Sequence, residues 1–104
     1  MYRGTTSTFD INISDVDLTE VAEMWVSFGT ENNPIVNKTL SDVTISGSTV
    51  TVPLTQEDTL TLKAAQKTYL QIRILLNNGE AIASPMKRVD VYAIIKDGVI
   101  SIGN

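Results

Sequence analysis

The sequence predicts an all-β antiparallel sandwich of about seven or eight strands with two short helical turns. Three observations carry that expectation. Short segments of alternating polar and apolar residues recur, with turn residues between them about every ten positions. The longest segment, Lys67–Asn77, leads into an Asn78-Gly79 pair and a second alternating run that ends at Met86. Helix-start residues appear only at Ser14–Val21 and Thr55–Leu62, and both stretches read as crossovers rather than independent helices.

Residues 1–7, MYRGTTS, are polar and unpatterned, and are expected to form an arm or a frayed lead-in. Thr8–Ile13 alternates, with Phe9, Ile11 and Ile13 against Thr8, Asp10 and Asn12, which predicts a strand with one buried face. Ser14 or Asp15 is placed to cap a turn through Asp17–Val21 that drops Val16, Leu18 and Val21 towards the core. Glu23–Thr30 predicts a second strand, with Met24, Val26 and Phe28 on one face and Trp25 and Ser27 on the other. Trp25, the sole tryptophan, reads as a half-buried structural aromatic. Glu31–Pro34 is a turn by composition. The weaker alternation of Ile35–Leu40 suits an edge strand.

Val43–Ile45 and Thr49–Leu54 form a hairpin about Ser46-Gly47-Ser48. Thr55 is placed to cap the next helical turn, with Asp58 where a capping box has Glu or Gln. Leu60 and Leu62 are expected beneath the sandwich.

In Lys67–Asn77, Thr68, Leu70, Ile72, Ile74 and Leu76 make an apolar face. Lys67, Tyr69, Gln71, Arg73 and Leu75 make a mixed one, as suits a central strand. Asn78-Gly79 predicts a two-residue type I′ turn, in which both central residues take positive φ. Beyond it Glu80, Ile82, Ser84 and Met86 share one face. Small Ala81 and Ala83 share the other, which implies a close neighbour over them. Pro85 cannot donate to a ladder and marks an edge, a bulge or a strand end.

Val89–Ile95 predicts a further strand, with Val89, Val91, Ala93 and Ile95 on one face. Residues 97–104 form a tail. Its Val99, Ile100 and Ile102 are expected either to pack on their own domain or to be buried by another subunit, because an exposed apolar tail is a pairing hazard. Leu70, Ile72, Ile74 and Leu76 are expected to oppose Phe9, Ile11, Val26, Phe28, Val50 and Val52 across the sandwich. Tyr69, Gln71 and Arg73 are the surface expected to meet a partner.

Composition narrows the function. The 104 residues suit one domain spanning the whole chain. With no cysteine, disulfide and thiolate chemistry are excluded. With no histidine, the commonest general base and transition-metal ligand are missing too. Asp15, Asp17 and Glu20, and then Glu57 and Asp58, would serve glycoside hydrolysis or a hard cation as carboxylate pairs. Both groups instead sit at predicted helix starts, where carboxylates cap. Nothing places Lys63, Lys67 or Lys87 beside a particular serine. A non-enzymatic protein with no metal and no cofactor is expected.

The net charge of −4, without a basic run, argues against nucleic acid. Arg73, Lys87 and Arg88 near one end of the hairpin read as a solvated face rather than an anion patch. No window approaches the roughly 20 apolar residues of a membrane span. MYRGTTSTFD lacks the apolar core of a secretory signal. Asn12-Ile13-Ser14 and Asn37-Lys38-Thr39 match the glycosylation sequon, whose use would require export. An alternative reading takes Trp25, Tyr69 and Tyr92 as sugar-stacking rings of a carbohydrate-binding module.

One resemblance runs along most of the chain. It is carried by GTTSTFDINI (Gly4–Ile13), MWVSF (Met24–Phe28), LTQEDTLTL (Leu54–Leu62), YLQIRI (Tyr69–Ile74), NNGEAIAS (Asn77–Ser84) and KDGVI (Lys96–Ile100). The set resembles small β-sandwich proteins encoded in prophages of Gram-positive bacteria. It is also similar to the immunoglobulin-like N-terminal domain of phage baseplate and receptor-binding proteins. The resemblance implies an immunoglobulin-like sandwich and a virion component, present in the bacterial cytoplasm before assembly. Its implied partner is another protein or further copies of itself, as a homo-oligomer. It implies no functional residues.

Overall fold

The computed structural model describes residues 1–103; Asn104, the last residue of the expected tail, lies outside the described residues. Among the described residues eight strands form two antiparallel sheets: β1 (Thr8–Asn12), β2 (Val21–Thr30), β3 (Asn33–Thr39), β4 (Thr44–Ser46), β5 (Thr49–Pro53), β6 (Thr68–Leu76), β7 (Ala81–Ala83) and β8 (Lys87–Val89). The smaller sheet runs β1-β5-β4. The larger runs β3-β2-β6, and β7 and β8 pair successive parts of the far side of β6. This is the strand order of an immunoglobulin-like sandwich. β1, β5 and β4 take the B, E and D places, β3, β2 and β6 take C′, C and F, and the pair β7/β8 takes G.

Period-two alternation decides what is buried. Met24, Val26 and Phe28 of β2, Leu70, Ile72 and Ile74 of β6, and Val50 and Val52 of β5 all enter the core. Val26 and Phe28 do not oppose the β6 row, as the sequence reading had it. They lie beside it in the same sheet, paired with Ile72 and Leu70. The opposing layer is Phe9, Ile11, Val50 and Val52, and the Phe9 and Phe28 rings meet across the sandwich with centroids 5.2 Å apart. Leu18, dropped inward by a 3-10 turn at Leu18–Glu20, and Leu62 close the two ends of the core. The cap of that turn is Asp17, not Ser14 or Asp15.

The hairpin between β6 and β7 differs from the type I′ expectation. Among the described residues none but glycines has positive φ, so of the Asn78-Gly79 pair Gly79 takes it, at φ 90°, and Asn78 does not. The Gly79 N–H donates to the Leu76 carbonyl at 2.9 Å, and the Leu76 N–H donates to Glu80. The loop is therefore Asn77-Asn78-Gly79, three residues with glycine at the left-handed position.

Pro85 breaks the last strand. Ser84, Pro85 and Met86 separate β7 from β8, and the Ser84 hydroxyl accepts the Ile72 N–H at 3.0 Å in place of the missing ladder. Replacing Ser84 with Ala leaves that N–H without this acceptor. The expected cost is about 1–3 kcal/mol in urea denaturation.

Other expectations change near the ends. Val89–Ile95 is not one strand: pairing to β6 ends at Val89, and Ile95 is fully exposed. The amino-terminal arm is tied rather than frayed. Met1 donates to the Asp90 carbonyl, Tyr2 bridges Tyr92 in parallel, and Arg3 donates to the carbonyls of Leu60 and Leu62 and to Asp97.

The helix α1 (Gln56–Leu60) has the full capping box, Thr55 accepting the Asp58 N–H and Asp58 accepting the Thr55 N–H. Asp58 also meets Lys38 of β3 at 2.7 Å, with only 21% and 17% of the two side chains exposed. Burial alone would raise the Asp58 carboxyl. The hydrogen bond from Lys38 and those from Thr55 together outweigh it and hold the group below its ordinary value. A depressed carboxyl stabilises the fold above its unfolded pKa, near 4, and that contribution is lost as pH falls through the lower folded value. Melting temperature is therefore expected to drop below about pH 4, and Asp58→Asn to flatten that drop. Asp17, bonded by the Thr19 hydroxyl and N–H, and Asp42, bonded by the Thr39 N–H and hydroxyl, are lowered in the same direction.

Candidate functional site

The outer face of the larger sheet carries the candidate site. Strand pairing sets Trp25 opposite Arg73 and Glu23 opposite Leu75. On the other side of β6, Ala83 faces Arg73 and Ala81 faces Leu75. Trp25 is 52% exposed and Leu75 42% exposed, a large apolar area for a sheet face turned to water. The Arg73 guanidinium lies 5.5 Å from the Trp25 ring centroid, a cation–π arrangement that stiffens both side chains. Ala81 and Ala83 are themselves exposed. They do not hold a neighbour of their own chain, as their size had implied. Instead the short side chain of Ala81 leaves a depression of about 250 Å³ beside Glu23, Trp25, Arg73 and Leu75.

Trp25 sits on the strand that holds the buried tryptophan of antibody domains, but one position out of that register. Met24 and Val26 take the inward places and leave the ring on the outer face, about half of it exposed.

The residues expected to meet a partner divide between two neighbourhoods. Tyr69, Gln71 and Arg73 lie on the outer face, where Gln71 donates to the Ser84 carbonyl and supports the strand break. Val99, Ile100 and Ile102 lie on the tail beside α1. The Gln56 side chain brackets Ile100 there, accepting its N–H at 2.8 Å and donating to its carbonyl at 3.1 Å. The tail is thus held by its backbone while Ile100 and Ile102 point into solvent, 80% and 106% exposed.

The three rings of the sugar-stacking alternative do not share a platform. Trp25 lies across from Arg73, and Tyr69 lies four residues earlier on β6, about 13 Å away at strand rise. Tyr92 packs on Tyr2 beyond β8, with ring centroids 5.2 Å apart. Arg73 and Arg88 are separated by the same span, since Arg88 pairs with Tyr69, while Lys87 pairs with inward Leu70. No group of acidic residues large enough to hold a metal ion occurs among the described residues. No described helix is long and apolar enough to cross a membrane.

The sequence places Leu75 on the mixed face of the strand and reads Ala81 and Ala83 as covered by a neighbour, without joining the three to Trp25 as one surface. The signal available was the excess of apolar residues on the nominally polar face of β6 and the matching small residues after the turn. Comparison with known proteins finds no matching family model, no matching curated protein and no matching solved structure.

Proposed function

We propose that this chain is a non-enzymatic structural or interaction module of a phage or prophage particle, a tail or baseplate-type component that works by burying its surface against a protein partner or further copies of itself. The observation that supports this reading is the open, largely apolar ground around Trp25, Leu75 and Ala81, with Glu23 and Arg73 at its border, which is shaped for contact. The particle assignment rests on the resemblance of Gly4–Ile13, Met24–Phe28 and the hairpin phrases to phage β-sandwich proteins. Sedimentation and light scattering at micromolar concentration are expected to show a species larger than the monomer. Trp25→Asp, which adds a charge at an exposed site, is expected to return it to the monomer while the chain still melts cooperatively, with only the small loss that removing the Arg73 contact brings. A strict monomer that also recovers no component of purified particles would overturn the reading.

A further inference from the structure

We propose that Asn78 is a self-modifying site, at which the Gly79 backbone nitrogen displaces the side-chain amide and leaves a carboxylate at the tip of the β6–β7 hairpin. Asn78 and Gly79 are both exposed. Gly79 brings no side chain to the attack, and a Cβ built on it would meet nothing within 4 Å, so the space a new ring needs is free. Asn78 Oδ1 accepts the Glu80 N–H at 2.9 Å. That bond folds the side-chain amide back along its own backbone and draws electron density from the amide carbon. One contact opposes the step. The Gly79 N–H is held by the Leu76 carbonyl and must leave it first, which lowers the rate in the folded chain below that in the unfolded one without abolishing it.

The chemistry balances without a co-reactant other than water. Hydroxide removes the Gly79 N–H proton, the nitrogen bonds to the Asn78 Cγ, and the Cγ–Nδ2 bond breaks as ammonia leaves. Water then opens the cyclic imide at either carbonyl, giving aspartate or a backbone rerouted through the β-carbon. Neighbouring Asn77 is poorly placed. The residue after it, Asn78, bears a side chain that crowds the attack by its nitrogen, where Gly79 brings none. The new carboxylate stands beside the Glu80 N–H, and the rerouted backbone lengthens the loop that sets Ala81 opposite Leu75 and beside Trp25. The modification therefore ages the candidate surface itself.

The test holds the full chain, folded, in warm and mildly alkaline buffer, with a parallel sample in urea. Anion exchange is expected to resolve one acidic satellite from the folded sample. Peptide mapping should place an amide-to-acid mass gain at Asn78 before any other asparagine, and later in the folded sample than in urea. Asn78→Gln, which closes the ring far less readily, should lose the satellite while keeping the circular dichroism of the parent. Conversion led by another asparagine, or a folded chain unchanged at Asn78 after the urea sample has converted there, overturns the proposal.

Discussion

Replacing Ile72 with Asp is expected to leave no folded protein at room temperature. Ile72 is 3% exposed on the central strand, paired with Val26 and facing the smaller sheet. Its surroundings in the core are aliphatic and aromatic, and no cationic side chain is buried with it. Losing the isoleucine forfeits about 2–3 kcal/mol of burial. An unpaired carboxylate in the same place costs several kcal/mol more. Together these reach the total of about 5–15 kcal/mol that holds a domain of this size together. Arg73→Ala, one position on, is the matched control. Its side chain is exposed and loses only the contact with Trp25, worth about 0.5–1 kcal/mol. Circular dichroism and thermal melts separate the two. A cooperative, parent-like melt for Ile72→Asp would mean that β6 carries its other face to the core.

Gly29→Ala is expected to destabilise by about 3 kcal/mol, the upper range for forced overpacking. Gly29 sits where the β2–β3 register shifts, opposite Pro34. A Cβ there would stand 2.2 Å from the Asn33 carbonyl oxygen and 3.0 Å from both the Ile35 nitrogen and the Pro34 Cα. All three are backbone atoms and cannot rotate aside as a side chain would. Gly47→Ala tests a different cause. That glycine has φ 59° with nothing within 4 Å, so only the left-handed backbone is penalised, at about 1 kcal/mol. Urea midpoints should rank the two variants in that order. Equal midpoints would show that the hairpin moves to admit the methyl group.

Strand identity was legible in the chain because one sheet face is buried and alternation reports it. β1, β2, β5 and β6 fall within a residue or two of their expected limits. What alternation does not report is which strands are neighbours, so Val26 and Phe28 were placed in the wrong layer relative to Ile72. The turn mattered more. A two-residue Asn78-Gly79 loop would set Leu75 opposite Ile82 and carry that isoleucine outward. The three-residue loop pairs Leu75 with Ala81 and turns Ile82 towards the core side with Ile74. The depression beside Trp25 exists only in the second register, so the candidate site depended on a loop length that Asn-Gly alone does not fix. The stretch after Val89 misled for another reason. Val91 and Ala93 continue an alternating pattern, but β6 begins at Thr68 and offers no further backbone to pair with.

The margins of the larger sheet have one further consequence. On one side β3 carries Pro34 and the register shift beside Gly29; on the other, Pro85 splits the last strand into two pieces of three residues each. Each rim carries a proline that cannot donate, which works against growth sideways into a ribbon shared with another molecule. The side chains of the outer face are the ground left to a flat approach, and single substitutions at Trp25 or Leu75 change that ground without redrawing any strand.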